Sequence, residues 1–193
     1  MLTRFLNASF LEAIPKFSSS GINVRPNAVE CQEMKQTKIP AFLAHLKIYD
    51  GFPVPFIQLW AASKPDFRAV NTEHCARCLR DKLCAICGHR LGEYCYFIGG
   101  PLSKKNRLFV DPAMHKQCAE FASKVCPFVS GQRQEYSTRP VDKNVARIEE
   151  MASAVRPEVM YILKTRTGKF KPARVNGRLM IQAGSWSRVR EIS

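Results

Sequence analysis

No stretch of this 193-residue chain holds the roughly 18–20 consecutive apolar residues that cross a bilayer, so no membrane-spanning helix is expected. The longest apolar stretches, 54–62 and 94–98, have the length of strands. Acids are scarce as well. Sixteen Asp and Glu stand against 30 Lys and Arg, a net charge of +14, and between Val159 and Arg190 there are eight basic residues and no acid. Such a field draws polyanions: nucleic acid, an acidic protein surface or anionic lipid. There is no internal repeat and no low-complexity run, which excludes a solenoid. The His-x-Glu and Pro-Cys-x-x-Cys pattern of zinc deaminases is absent. No paired carboxylates accompany His89 and Asn106. These gaps speak against hydrolytic metal chemistry, which needs an open coordination position and a general acid/base.

Cysteine, in contrast, is plentiful: eight, at 31, 75, 78, 84, 87, 95, 118 and 126. The first twenty residues lack the continuous apolar core of a secretory signal. Leu2, Phe5, Leu6, Phe10 and Ile14 fall near helical spacing, which suits a short docking helix better than a mitochondrial transit peptide. A reducing, cytoplasmic compartment is therefore expected. There, paired cysteines serve as metal ligands more often than as bridges.

The most informative segment is Cys84, Ala85, Ile86, Cys87, Gly88. Zinc takes four thiolate or imidazole ligands in a tetrahedron. A C-x-x-C followed by glycine supplies two of them on one tight turn, with Gly88 free to take positive φ. A second pair should lie downstream on one face. His115 and Cys118 meet that need at i and i+3 of an expected helix, with 27 residues lying between Cys87 and His115, and with Asp111 as N-cap and Pro112 at its first position. A closed set of four ligands points to a structural zinc ion. The competing readings of the pair are a redox dithiol, a disulfide and buried thiols. A redox C-x-x-C opens a helix after a strand, whereas here Gly88 and Gly92 follow and then a strand.

Cys75 and Cys78 form a second C-x-x-C. They share the apolar face of an expected helix over 73–83, and no further close ligand pair accompanies them, so they are expected to be packing residues. Cys95 and Cys126 are expected to pack, Cys31 to be free, and His89 to stand as a reserve ligand. The remaining pattern predicts strands over 51–61 and 67–70 before the helix. It then predicts a strand pair, 91–99 with 107–110, joined by the polar connection 100–106, and a helix over 142–155. Strands follow over 159–163, 171–175 and 178–182, with Asn176-Gly177 as a hairpin turn.

Knuckle, hairpin and two ligands at a helix start resemble the treble-clef zinc finger over residues 84–126. The expected fold class is α+β, with a treble-clef-like zinc core and additional β-hairpins before and after. The expected organisation is an N-terminal extension over 1–39, a zinc-binding domain over 40–130, and a basic C-terminal region over 131–193 packed on it. The chain also resembles a group of small uncharacterised bacterial and phage proteins. The resemblance is carried by Phe52, Pro53, Val54 and Pro55; Pro65 to Arg68; Lys82 to Gly88; Leu91 and Gly92; Asp111 and Pro112; His115, Cys118 and Ala119; and Cys126, Pro127 and Phe128. It spans about 50–130, implies no activity, and implies a phage or prophage origin. In that pattern positions 75 and 78 are not cysteine, while 126 is.

The functional expectation is a non-enzymatic zinc protein whose basic surface binds nucleic acid. The candidate contacts are Lys104, Lys105, Arg107, Lys116, Lys124, Lys164, Arg166, Lys169, Lys171, Arg174 and Arg178, with Tyr161, Phe170 and Trp186 near them. The alternatives are a module that binds an acidic host or phage protein, and a ββα-metal nuclease drawing on His89 and Asn106.

Overall fold

A computed structural model describes residues 38–135 and 155–192, leaving aside the side chains of Arg68 and Arg178. The expected docking helix and Cys31 lie outside the described residues, as does the expected helix over 142–155 except for Val155.

The fold is mixed α+β. In chain order it runs β1 (Ile48–Tyr49), β2 (Phe52–Pro53), β3 (Gln58–Ala61), β4 (Lys64–Val70), α1 (Thr72–Asp81), β5 (Tyr94–Gly99), α2 (Pro101–Asn106), β6 (Leu108–Phe109), α3 (Lys116–Val125), β7 (Met160–Arg166), β8 (Lys171–Val175), β9 (Arg178–Gln182) and β10 (Arg188–Ile192). Two small antiparallel hairpins, β1–β2 and β3–β4, precede two three-stranded sheets of order β10-β7-β5 and β6-β9-β8.

The expected strand over 51–61 is broken in two. Pro53 and Pro55 cannot feed a continuous ladder, so β2 turns back on β1 and a fresh strand begins at Gln58. A bulge between Gln58 and Leu59 disturbs the β3–β4 ladder. The buried Gln58 amide fills it by donating to the carbonyls of Asp66 and Ala69. Asn71 then caps α1 by accepting from the His74 N–H.

The expected pairing of 91–99 with 107–110 is not formed. The connection is a helix instead. Pro101 sits where a missing N–H costs nothing, and Arg107 closes the helix in the left-handed conformation with φ 61°. This turn carries β6 away from β5. β6 pairs with β9, and β5 pairs along its whole length with β7. What remains beside β5 is one antiparallel bridge, Tyr96 with Met114, in which both backbone bonds are 2.9 Å.

The helix that follows starts four residues later than Asp111-Pro112 predicts, at Lys116 with His115 as N-cap. The backbone of the intervening residues is engaged elsewhere. Ala113 accepts from Ala85 and Met114 exchanges bonds with Tyr96, so 113–114 must stay extended.

The alternation of the β7 and β5 side chains sets the core. Cys95, Phe97, Leu163 and Thr165 share one face, and all are almost fully buried. Phe97 meets Phe109 of β6 at 4.6 Å, Phe170 at 6.0 Å and Trp186 at 6.3 Å. The second sheet adds Ile181 to this core. The C-terminal strand β10 was not foreseen from the sequence, because Arg188 and Arg190 hide its period-two pattern.

Candidate metal centre

Three elements converge on the knuckle. Lys82 ends α1 in the left-handed conformation, φ 55°, and aims the chain into a tight loop. Leu83 bridges Arg90, the Cys84 N–H donates to the His89 carbonyl at 2.8 Å, and the Gly88 N–H donates to the Cys84 carbonyl at 2.9 Å. On one side Phe56 and Ile57 donate to the carbonyls of Ile86 and Ala85, and on the other Ala85 donates to Ala113. Gly88 has φ 73°, and a Cβ there would lie 2.9 Å from the Phe56 ring, so both conformation and space call for glycine.

This frame brings Cys84, Cys87, His115 and Cys118 together with their donor atoms all within 4.8 Å of one another. A tetrahedral zinc ion with bonds of about 2.3 Å to sulfur and 2.0–2.1 Å to nitrogen would set S···S at about 3.8 Å and S···N at about 3.6 Å. The His115 Nδ1 lies 3.3 Å from the Cys87 Sγ and 4.0 Å from the Cys118 Sγ, which brackets the second value. The four donors therefore need shifts of no more than about 1 Å to embrace one ion.

The histidine is oriented for the task. Its Nε2–H donates to the Arg90 carbonyl at 3.0 Å, which leaves Nδ1 as the bare nitrogen facing the sulfurs. Its backbone N–H points at the Cys84 Sγ at 3.4 Å. His45 donates from Nε2 to the Cys87 carbonyl at 2.8 Å and stacks on His89 at 4.4 Å, so His89 braces the knuckle from outside rather than entering the quartet. Asn106, the other residue of the nuclease reading, accepts the Leu108 N–H and so shapes the turn before β6.

The thiols differ in character. Hydrogen bonds from Cys118 and Cys87 pull Cys84 down to about 3, and the same contacts with burial push Cys118 up. Cys84 is thus held ionised and Cys118 as a thiol. Three thiolates this close need a cation between them. Cys75 and Cys78 sit on the inner face of α1 in a small separate core with Ile57 and Ala85. Burial pushes each of them up to about 12, and Cys95 up to about 11. They are neutral packing groups. Cys126, half-buried, closes α3 as its C-cap. Among the described residues no other cluster of three or more His, Cys, Asp or Glu is placed to hold an ion.

The basic candidates separate into groups. Lys164 and Arg166 of β7 share a sheet face with Tyr94 and Tyr96 of β5 and Arg188 of β10, since Tyr94 pairs with Arg166, Tyr96 with Lys164, and Lys164 with Arg188. On that face the Lys164 Nζ lies 3.7 Å from the centre of the Tyr94 ring, and the Arg166 guanidinium lies 5.8 Å from it. Arg166 also meets Glu93 at 3.7 Å, and Arg190 meets Glu120 of α3 at 3.7 Å. Arg107, Arg166 and Lys169 line one open pocket with Trp186. Lys104 caps the Tyr161 ring at 4.2 Å, and Lys116 pairs with Glu120 at 4.0 Å. Lys105 remains on α2, Lys124 on α3, and Lys171 and Arg174 on β8. Arg178 belongs to β9, with its side chain outside the description. Phe170 is buried in the core and is not available for stacking.

Sequence reasoning missed Tyr94 and Arg188. The signal was present as the alternation Tyr94, Cys95, Tyr96, Phe97, which places two phenols opposite two core residues. No protein-family model, no curated protein and no solved structure matches the chain.

Proposed function

We propose that the chain is a non-enzymatic protein in which one structural zinc ion, held by Cys84, Cys87, His115 and Cys118, fixes a nucleic-acid-binding sheet. The zinc core reads as a treble clef whose hairpin is reduced to the Tyr96–Met114 bridge, with α2 and β6 inserted between its arms. The ion joins the 84–90 knuckle to the start of α3, and Cys84, Cys87, Cys95 and Cys118 all belong to the main core cluster. Loss of the ion would therefore loosen the support beneath β5.

The observation that carries the nucleic-acid reading is the Tyr94 end of the β10-β7-β5 face that bears Lys164, Arg166 and Arg188; at its other end Ile162 is buried and Arg190 meets Glu120 of α3. At the Tyr94 end the ring has the Lys164 and Arg166 cations at 3.7 and 5.8 Å, with Arg188 beside Lys164 in the sheet. Aromatic rings on a strand give bases a platform, and flanking cations take the phosphates. A sheet face with half-buried phenols suits unpaired bases rather than the edges of a duplex, so single-stranded DNA or RNA is the partner. No helix among the described residues is long and apolar enough to cross a membrane, and the described cysteines are unbridged, both compatible with a cytoplasmic protein of the bacterial and phage group it resembles.

Fluorescence anisotropy with short labelled single strands and duplexes, at 50 and 200 mM salt, tests the reading. Single strands should bind more tightly than duplexes and lose affinity steeply with salt. Tyr94→Ala should cost about 1–3 kcal/mol without altering the melt. Absence of binding to DNA and RNA at the lower salt would overturn it and put an acidic protein in the place of the nucleic acid.

A further inference from the structure

Next to the Tyr94 cluster, the end of β7 borders a second feature that the reading above does not use. Arg107, Thr165, Arg166, Lys169, Gly184, Ser185, Trp186 and Ser187 wall a pocket of about 490 Å³. That volume falls within the range of small-molecule sites and is far larger than one water. Three of its side chains are cationic and none is acidic. Among the described residues Arg107 and Lys169 have no acidic partner, and the acidic partner of Arg166 is Glu93 at 3.7 Å, both groups being exposed.

The pocket is a built feature. The loop over 183–187 is pinned at both ends, by the Ala183 N–H on the Arg107 carbonyl at 2.9 Å and the Ser187 N–H on the Lys164 carbonyl at 2.8 Å. Between them the Thr165 hydroxyl donates to the Ser185 carbonyl at 2.9 Å, and the Trp186 indole N–H donates to the Lys104 carbonyl at 2.9 Å. At Gly184 a Cβ would stand 2.6 Å from the Lys169 Cβ and 3.1 Å from the Thr165 Oγ1, so only glycine lets the loop close this near to the lysine. The Ser185 hydroxyl already meets an Arg107 guanidinium nitrogen at 3.4 Å. Hydroxyls and two guanidinium groups with a lysine around one cavity are the chemistry that recognises a phosphate, each arginine able to bond two of its oxygens.

We propose that this pocket binds a phosphate monoester dianion, as found at the end of a nucleic-acid strand or on a free nucleotide. It rests on the nucleic-acid reading only for the source of that phosphate. Arg166 is common to the pocket and the sheet face, so a strand lying on Tyr94 can place its end in the pocket.

Trp186 and Trp60 are the two tryptophans of the chain, so a Trp60→Phe background makes Trp186 a direct reporter. The titrants are inorganic phosphate, adenosine monophosphate, and one six-nucleotide strand carrying a 5′-phosphate, a 3′-phosphate or hydroxyls at both ends. A phosphorylated strand should bind at least tenfold tighter than the hydroxyl strand and shift Trp186 emission. Lys169→Gln should abolish that preference, weakening the phosphorylated strand at least tenfold more than the hydroxyl strand, Arg107→Gln should repeat the result, and Lys64→Gln should not. If the mononucleotide competes as well as the phosphorylated strand, the source is the free nucleotide and the pocket stands. Binding of the mononucleotide with no binding of any strand would retire the sheet-face reading and keep the pocket. Equal affinity for phosphorylated and hydroxyl strands, with no response to phosphate or mononucleotide, would overturn the proposal. Thermal melts of each variant guard against misfolding, and Lys169, exposed and free of hydrogen bonds from its ammonium among the described residues, is the safer of the two changes.

Discussion

Replacing Cys84 by serine should empty the metal centre, whereas replacing Cys78 by alanine should not, although both sulfurs are fully buried and lie six residues apart. Structural zinc sites contribute on the order of 10–16 kcal/mol to folding, and a domain of this kind has about 5–15 kcal/mol in all. Losing even a third of the zinc contribution, about 3–5 kcal/mol, removes a large share of the total. At this chain length each kcal/mol moves the melting temperature by about 2–4 °C, so Cys84→Ser should fall by about 6–20 °C. Cys78 packs against Ile57, Cys75 and Ala85 on the inner face of α1. Its truncation removes one sulfur from a small core, a cost of roughly 1–2 kcal/mol and a few degrees. Elemental analysis of the purified proteins and circular-dichroism melts, with and without a chelator, read both effects. Chelator should bring the parent chain down to the Cys84→Ser melt and leave Cys84→Ser itself unmoved. Full metal content in Cys84→Ser, or equal metal loss in Cys78→Ala, would refute the assignment of ligands.

Three further outcomes are expected. Gly88→Ala forces a side chain to φ 73° and against the Phe56 ring at 2.9 Å, so it should destabilise by more than the 1–2 kcal/mol of the conformation alone and weaken metal retention; an unchanged melt would contradict the geometry of the knuckle. Leu163→Ala, at a fully buried position in the middle of β7, should cost about 2–5 kcal/mol in chemical denaturation without altering metal content. Metal affinity should rise with pH. In the metal-free cluster Cys84 is held ionised, down to about 3, but Cys118 is pushed up and holds its proton, so binding must expel that proton and is opposed as pH falls. Calorimetric titrations in two buffers of different ionisation enthalpy should show proton release, and affinity independent of pH between 6 and 8 would contradict the sharing of charge among these sulfurs.

The clustering of the four donors was legible because it depends on short-range rules: a C-x-x-C-G turn, and two ligands three residues apart where a helix begins. The burial of Cys75, Cys78 and Cys95 was legible for the same reason, since helix and strand periods place them inward. The start of α3 was not. Asp111 and Pro112 make a good local cap, but Ala113 and Met114 are taken by Ala85 and Tyr96, which lie far away in sequence. Tertiary hydrogen bonds overrode the local preference. The partner of β5 was hidden likewise. Two strands separated by seven residues suggest a hairpin, yet Gly100-Pro101 starts a helix, and the true partner is β7, sixty residues on. β10 escaped because an exposed strand rich in arginine carries no apolar alternation. The convergence of Arg107, Arg166 and Lys169 on one cavity depends on that same long-range pairing, so charge counting found the residues but not their meeting place.

The central claim is that one ion ties the 84–90 knuckle to the head of α3. Zinc-edge X-ray absorption on the purified, metal-replete protein tests it most directly. The account predicts one zinc per chain with three sulfurs at about 2.3 Å and one nitrogen at about 2.0 Å, the nitrogen shell vanishing in His115→Ala. Four sulfurs in the unmutated chain, a shell rich in oxygen, or a protein that folds and melts identically without any metal would contradict it.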